Sequence, residues 1–182
     1  MKSWNKLRLF FAVILCLSLQ LLTFSPAWAS IHRYPESENQ VMYRSKQSLR
    51  DRHDLSWQVI LFKRIKFGQV NEIHLRLVGF PGLTAFAHRQ PLKLTTATGK
   101  TWQAKDVVDL SLPKNVGEYD VSDILFQIEN DIPLELALPL AENQIVELPV
   151  PPYIVREWRK LLELNEFSYK LSGDLSFKTF DL

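Results

Sequence analysis

Cysteine is almost absent from this chain: among 182 residues there is one, Cys16. A lone thiol excludes an internal disulfide framework and any zinc site built on several cysteines. Glycine is scarce too, at six residues, and none falls into a G-x-G-x-x-G, a P-loop or a G-x-S-x-G arrangement. Dinucleotide binding, phosphate cradling and a nucleophile elbow therefore have no signature here. The four histidines, His32, His53, His74 and His88, form no HxH or HExxH pattern. They read as solvated or structural residues, because a metal needs several convergent ligands, and no cofactor is expected. No Gly/Ser/Pro-rich linker divides the chain. Its ordinary shares of hydrophobic (46%) and charged (23%) residues suit one globular domain.

Acidic residues are missing before Glu36, whereas Lys2, Lys6 and Arg8 precede an apolar run from Leu9 to Leu22. Ala27-Trp28-Ala29 then supplies the small-x-small pattern of a signal peptidase site, with cleavage expected between Ala29 and Ser30. The rival, an uncleaved anchor, would need roughly 20 apolar residues, more than this run provides. Residues 1–29 are thus expected to be a signal peptide and residues 30–182 one exported domain. Removing the leader takes away three of the 22 basic residues and none of the 20 acidic ones, leaving a net charge of −1. It also removes Cys16, and a cysteine-free chain suits an oxidising compartment.

From Val41 to about Lys105 the pattern is that of strands. Val41 to Leu49 and Trp57 to Ile65 flank the polar turn Asp51-Arg52-His53-Asp54, and Ile73, Leu75 and Leu77 alternate with His74 and Arg76. Pro81-Gly82 predicts a type II turn. Thr98 to Lys100 reads as a three-residue loop that sets Leu94 against Ala104 and Thr96 against Trp102. Val121, Ile124, Leu125 and Ile128 follow helical spacing, with Asp120 or Ser122 as cap. Pro133 to Leu140 alternates strictly, with Gln144 to Val150 as its antiparallel partner. Pro151-Pro152 opens a second helix with Ile154, Trp158, Leu161 and Leu162 as its buried stripe. Residues 167–182 read as a C-terminal hairpin around Gly173. The expected class is α+β, predominantly antiparallel β, as a sheet or partly closed barrel with two amphipathic helices.

Several segments stand out together: Tyr43-Arg44-Ser45, Gln47-Ser48-Leu49-Arg50-Asp51, Ser56-Trp57-Gln58-Val59, Leu61-Phe62-Lys63-Arg64, and Leu75-Arg76-Leu77-Val78-Gly79-Phe80-Pro81-Gly82. Asn115-Val116-Gly117-Glu118-Tyr119-Asp120 and Val150-Pro151-Pro152 with Glu157-Trp158 extend the set. The combination resembles a family of exported cyanobacterial proteins classed as a domain of unknown function, over roughly Val41 to Trp158. The resemblance implies a periplasmic or thylakoid-lumen location and supplies no activity, ligand or catalytic residue. In that family a glycine is usual in the first hairpin's turn, where this chain has His53-Asp54.

Charge is the most informative pattern. Residues 41–105 hold twelve basic and three acidic residues, a net of +9; residues 106–182 hold six basic and fifteen acidic, a net of −9. Either the halves neutralise each other across the fold, or a basic sheet face meets an anionic protein or membrane surface. Arg44, Lys46, Arg50, Arg52 and Arg76 are the candidates for such a face. Nucleic acid is not an expected partner of an exported chain that lacks an RNP-like aromatic motif. Phe80, before the Pro81-Gly82 turn, is either an aromatic presented at a loop tip or, as the preferred reading, a side chain tucked into the core. Trp57, Trp102 and Trp158 read as core, with the lining of an apolar ligand cavity as the alternative. Asp106/Asp109 and Glu118/Asp120 read as turn and capping groups rather than acid/base pairs. Arg156, Arg159 and Lys160 read as a solvated helix face. The preferred function is a non-enzymatic accessory or assembly factor. The alternatives are a carrier of an apolar small ligand (a lipid or pigment) and a hydrolase.

Overall fold

Strict alternation along Gln40–Arg50 and Ser56–Lys66 puts Val41, Tyr43, Ser45 and Leu49 on one face with Trp57, Val59, Leu61 and Ile65. The computed structural model, which describes residues 31–165 other than residue 110, joins these segments as the strands β2 and β3 of one antiparallel sheet. The signal-peptide reading, with Ala29 and Ser30, and the C-terminal hairpin both lie outside the described residues. The other strands are β1 (His32–Ser37), β4 (Gln69–Val78), β5 (Leu92–Thr96), β6 (Thr101–Asp106), β7 (Val116–Asp120), β8 (Leu134–Pro139) and β9 (Ile145–Val150). Among the described residues two helices, α1 (Ser122–Leu125) and α2 (Pro152–Glu163), complete the α+β fold. The sheet runs β1-β2-β3-β4-β7-β6-β5-β8-β9 and does not close, although it curls until β9 comes against β2. The inner face of this curl holds the core.

Turn chemistry explains the hairpins. Between β2 and β3, the Asp51 carboxylate accepts from the backbone N–H of His53 (2.8 Å) and Leu55 (3.0 Å) and from the Trp57 indole N–H (2.9 Å). Burial raises its pKa, but these three hydrogen bonds more than offset that and hold it below the ordinary aspartate range. Asp54 takes the left-handed conformation (φ +65°) that Asp tolerates better than most residues, which is how this turn forms without glycine. Between β3 and β4 the two-residue loop Phe67-Gly68 has both φ values positive, +51° and +74°.

The β5–β6 hairpin departs from expectation. Leu94 pairs with Trp102 and Leu92 with Ala104, one pair away from the expected register. The loop is Ala97-Thr98-Gly99, because Gly99 (φ +87°) is the residue that can close a type I turn in the left-handed region. Since the slip is by a whole pair, every side chain keeps its face. The first helix is also shorter than its spacing suggests: α1 is one turn, although Val121, Ile124, Leu125 and Ile128 are all buried.

Helix α2 begins as its two prolines dictate, with Pro151 at the N-cap and Pro152 at the first helical position. Ile154, Val155, Trp158 and Leu161 are at most 1% exposed. Each such side chain contributes roughly 1.5–3 kcal/mol on burial. Polar contacts set the helix in place. Glu157 accepts from Ser45 Oγ (2.5 Å) and Gln47 Nε2 (3.0 Å), and Lys63 Nζ donates to the Leu162 and Leu164 carbonyls (2.5 and 2.8 Å) at the helix end. Burial pulls the Lys63 pKa below the ordinary lysine value. Trp57 and Trp158 are core, as expected. Trp102 is half-buried and donates to Gln127 Oε1 (2.9 Å).

Candidate functional surface

The period of two along β2 sends Arg44, Lys46 and Arg50 to the outer face of the sheet. The guanidinium of Arg44 stacks over the Tyr34 ring (4.4 Å) and donates to its hydroxyl (2.6 Å). Lys46 is exposed and has no ion-pair partner among the described residues. Arg50 makes an exposed pair with Asp54 (2.9 Å), of the kind worth little in water.

The neighbouring cations are committed elsewhere. Arg52 bridges to Glu135 and to Glu147 (2.6 Å), tying the β2–β3 turn to β8 and β9, and these carboxylates raise its pKa. Arg76 and His74, on β4, both bind Glu118 of β7 (2.7 and 2.9 Å). Burial raises the Glu118 pKa, yet the hydrogen bonds from His74 and Arg76 leave it below the ordinary glutamate range. Arg64 binds Glu36 (3.1 Å) and Glu72, and with Arg76 it covers the buried ring of Phe62 (5.0 and 5.4 Å). The basic and acidic halves therefore neutralise each other at Arg52 and Arg76. Among the described residues, the row Arg44-Lys46-Arg50 has no carboxylate from the acidic half.

Phe80 overturns the core reading: it is 65% exposed, and Leu83 beside it 77%. Alternation ends with β4 at Val78, so burial of Leu75 and Leu77 says nothing about residue 80. The Gly79 N–H donates to the Asn115 carbonyl (3.0 Å), and Asn115 Nδ2 donates back to the Gly79 carbonyl (2.8 Å). The Leu83 and Thr84 N–H groups both donate to the Phe80 carbonyl, and Gly82 has φ +80°, the type II turn expected of Pro81-Gly82. A Cβ at residue 79 would lie 2.5 Å from Thr84 Oγ1. An open cleft of about 320 Å³ adjoins the loop, lined by Gly82, Leu83, Thr84, Ala85, Lys114 and Asn115. The sequence singled out Asn115 only as part of a family-like segment and Leu83 not at all; the signal available for a role in this loop was an Asn and a Leu in loop positions.

Among the described residues no group of three or more His, Cys, Asp or Glu could hold a metal ion. His88 Nδ1 is buried 3.6 Å from Asp106 without a hydrogen bond. Asp106 and Asp109 accept from the backbone N–H of Val108 and Ser111, and Asp120 from that of Ser122, each two residues on, as turn groups. The expected cap of α1 by Asp120 or Ser122 does not form, because Val121 takes the N-cap position with no side-chain cap and Asp120 bonds within its own turn. Glu118 is an ion-pair partner instead. Arg156 and Arg159 are not simply a solvated face, since both bind Asp131 (2.6 and 2.7 Å). Among the described residues no helix is long and apolar enough to cross a membrane.

The class defined so far is an open nine-stranded antiparallel sheet, curled around a core helix, with a basic row outside and an exposed apolar loop at one end. A family model described as a protein of unknown function (DUF3122) matches residues 29–161, and the chain belongs to that family. A search of curated proteins and a search of solved structures each returned no match.

Proposed function

We propose that this chain is a non-enzymatic accessory or assembly factor, exported to a periplasm or thylakoid lumen, that docks on an anionic protein or membrane surface through the outer face of β2. The observation that carries this reading is the row Arg44-Lys46-Arg50. These cations lie on one face of one strand, with Lys46 and Arg50 exposed, while Arg52, Arg64 and Arg76 beside them are matched by glutamates. Alternate residues on a strand repeat every ~6.6 Å, so the row presents spaced positive charge to a flat partner. A carrier would need room on the inner face, where Ile154, Trp158 and Leu161 of α2 are packed.

The test is crosslinking pull-down of the processed protein from its host at low and high salt. Docking through this row predicts recovery of a membrane complex or membrane fraction that falls as screening shortens the reach of the charges. It also predicts loss of recovery in Lys46→Glu/Arg50→Glu. Recovery indifferent to both salt and charge reversal would refute it.

A further inference from the structure

We infer that the surface docked on is a lipid bilayer with anionic headgroups, and that the Phe80-Pro81-Gly82-Leu83 loop inserts into its interface. This deepens the docking reading and rests on it.

The register places the relevant groups at one end of the sheet. Arg50 pairs with Ser56, and Gln58 with Val78, so the end of β2, the β2–β3 turn and the loop after β4 emerge together. Three exposed apolar side chains lie there: Phe80, Leu83 and Leu55. Arg50 closes the basic row at that end, and Lys114 lines the cleft beside Leu83. Large apolar side chains with cations at their flanks suit the boundary between acyl chains and anionic headgroups.

Two observations favour a bilayer over a protein. The first is area. A large aromatic carries roughly 150–250 Å², so three partly covered side chains offer on the order of 300 Å². A stable protein interface takes about 800 Å² from each partner. The second is rigidity. The paired Gly79–Asn115 hydrogen bonds and the two N–H groups on the Phe80 carbonyl brace the loop, and Thr84 packs so close to Gly79 that no Cβ fits there. The exposed side chains are therefore presented before contact, with little ordering to be done on insertion.

The experiment uses the exported, processed chain, which carries no cysteine after residue 16. A single cysteine introduced by F80C or L83C, or by F67C at the opposite end of β4, is labelled with an environment-sensitive fluorophore. Each protein is mixed with vesicles of phosphatidylcholine alone or of phosphatidylcholine with phosphatidylglycerol. Insertion predicts a blue shift at positions 80 and 83, with the anionic vesicles only, and none at 67. Phe80→Ser/Leu83→Ser, verified as folded by its thermal transition, should bind the anionic vesicles about tenfold more weakly or worse. Binding to those vesicles that depends on Lys46 and Arg50, with no shift at 80 or 83, overturns the insertion and leaves docking in place. Salt-sensitive crosslinking to a host protein without binding to any vesicle overturns the bilayer and again leaves docking. A shift that tracks protein concentration without vesicles assigns the loop to a second copy and overturns the bilayer. Absence of both vesicle binding and salt-sensitive crosslinking overturns both readings.

Discussion

Replacing Asp51 by alanine is expected to cost about 3 kcal/mol, and the structure says where that comes from. The carboxylate accepts three hydrogen bonds, from Trp57 Nε1 and from the N–H groups of His53 and Leu55. His53 and Leu55 are exposed, so water can replace the acceptor for them at small cost. Trp57 is 2% exposed, and its indole N–H would lose its partner where water does not reach. That costs ~1–3 kcal/mol, and the loss of charge-assisted bonds to the turn brings the total to ~3. For a domain of this size each kcal/mol moves the thermal midpoint by ~2–4 °C, so Tm should fall by about 10 °C. Chemical and thermal unfolding of wild type, Asp51→Ala, Trp57→Phe and the double variant form the assay. With the N–H already removed by Trp57→Phe, Asp51→Ala should cost ~1–2 kcal/mol less. The pH dependence has a definite sign. Because the folded-state pKa of Asp51 is depressed, its contribution is complete above the unfolded value of ~3.9 and is lost as pH falls through the folded one. The gap between wild type and Asp51→Ala should therefore narrow in acid. A cost below ~1 kcal/mol, or an equal cost in both backgrounds, would refute the reasoning.

Three further outcomes are expected. Phe67 stands at φ +51° in a two-residue turn that favours Asn-Gly, so Phe67→Asn should stabilise the chain by ~0.5–1 kcal/mol, read from urea midpoints at unchanged slope; a loss of stability would contradict the turn assignment. Gly79→Ala should destabilise by ~1–3 kcal/mol, because its Cβ would meet Thr84 Oγ1 and Cγ2 at 2.5 and 2.6 Å, and Thr84→Ala should recover part of that in a double variant; equal losses with and without Thr84 would rule out the clash. Glu118→Gln should lower stability at pH 7 and flatten the decline in acid. The depressed Glu118 pKa means its contribution, complete above the unfolded value of ~4.3, disappears as pH falls through the lower folded value; melting curves from pH 7 to pH 3 with unchanged steepness in the variant would count against the His74–Glu118–Arg76 cluster.

Much of the strand content was legible because alternation is a local signal. Ile73, Leu75 and Leu77 announce β4 whatever lies beside it, and Leu134, Leu136 and Leu138 announce β8. The reach of α1 was not legible, since the spacing of Val121, Ile124, Leu125 and Ile128 serves one helical turn followed by a bend as well as a longer helix. The β5–β6 register turned on which residue takes positive φ, and Gly99 decided it against a loop ending at Lys100. The candidate surface was half visible. Arg44, Lys46 and Arg50 share a face by parity alone, but no parity says whether a glutamate lies across from them.

The sequence alone determined which side chains face inward on β2, β3, β4 and β8, that Pro81-Gly82 forms a type II turn, that Pro151-Pro152 starts a helix, and that opposite charges separate into two halves. These depend on the chain's own period and on the conformational limits of Pro, Gly and Asp. Only the tertiary structure decided that β4 lies beside β7, bringing Glu118 to His74 and Arg76, and that the β2–β3 turn reaches β8 and β9, bringing Glu135 and Glu147 to Arg52. It also decided that Phe80 points outward, because Asn115, 36 residues away in the chain, pairs with both the N–H and the carbonyl of Gly79. Pairing partners are chosen by contacts between segments tens of residues apart, and those contacts leave no periodic trace in either segment.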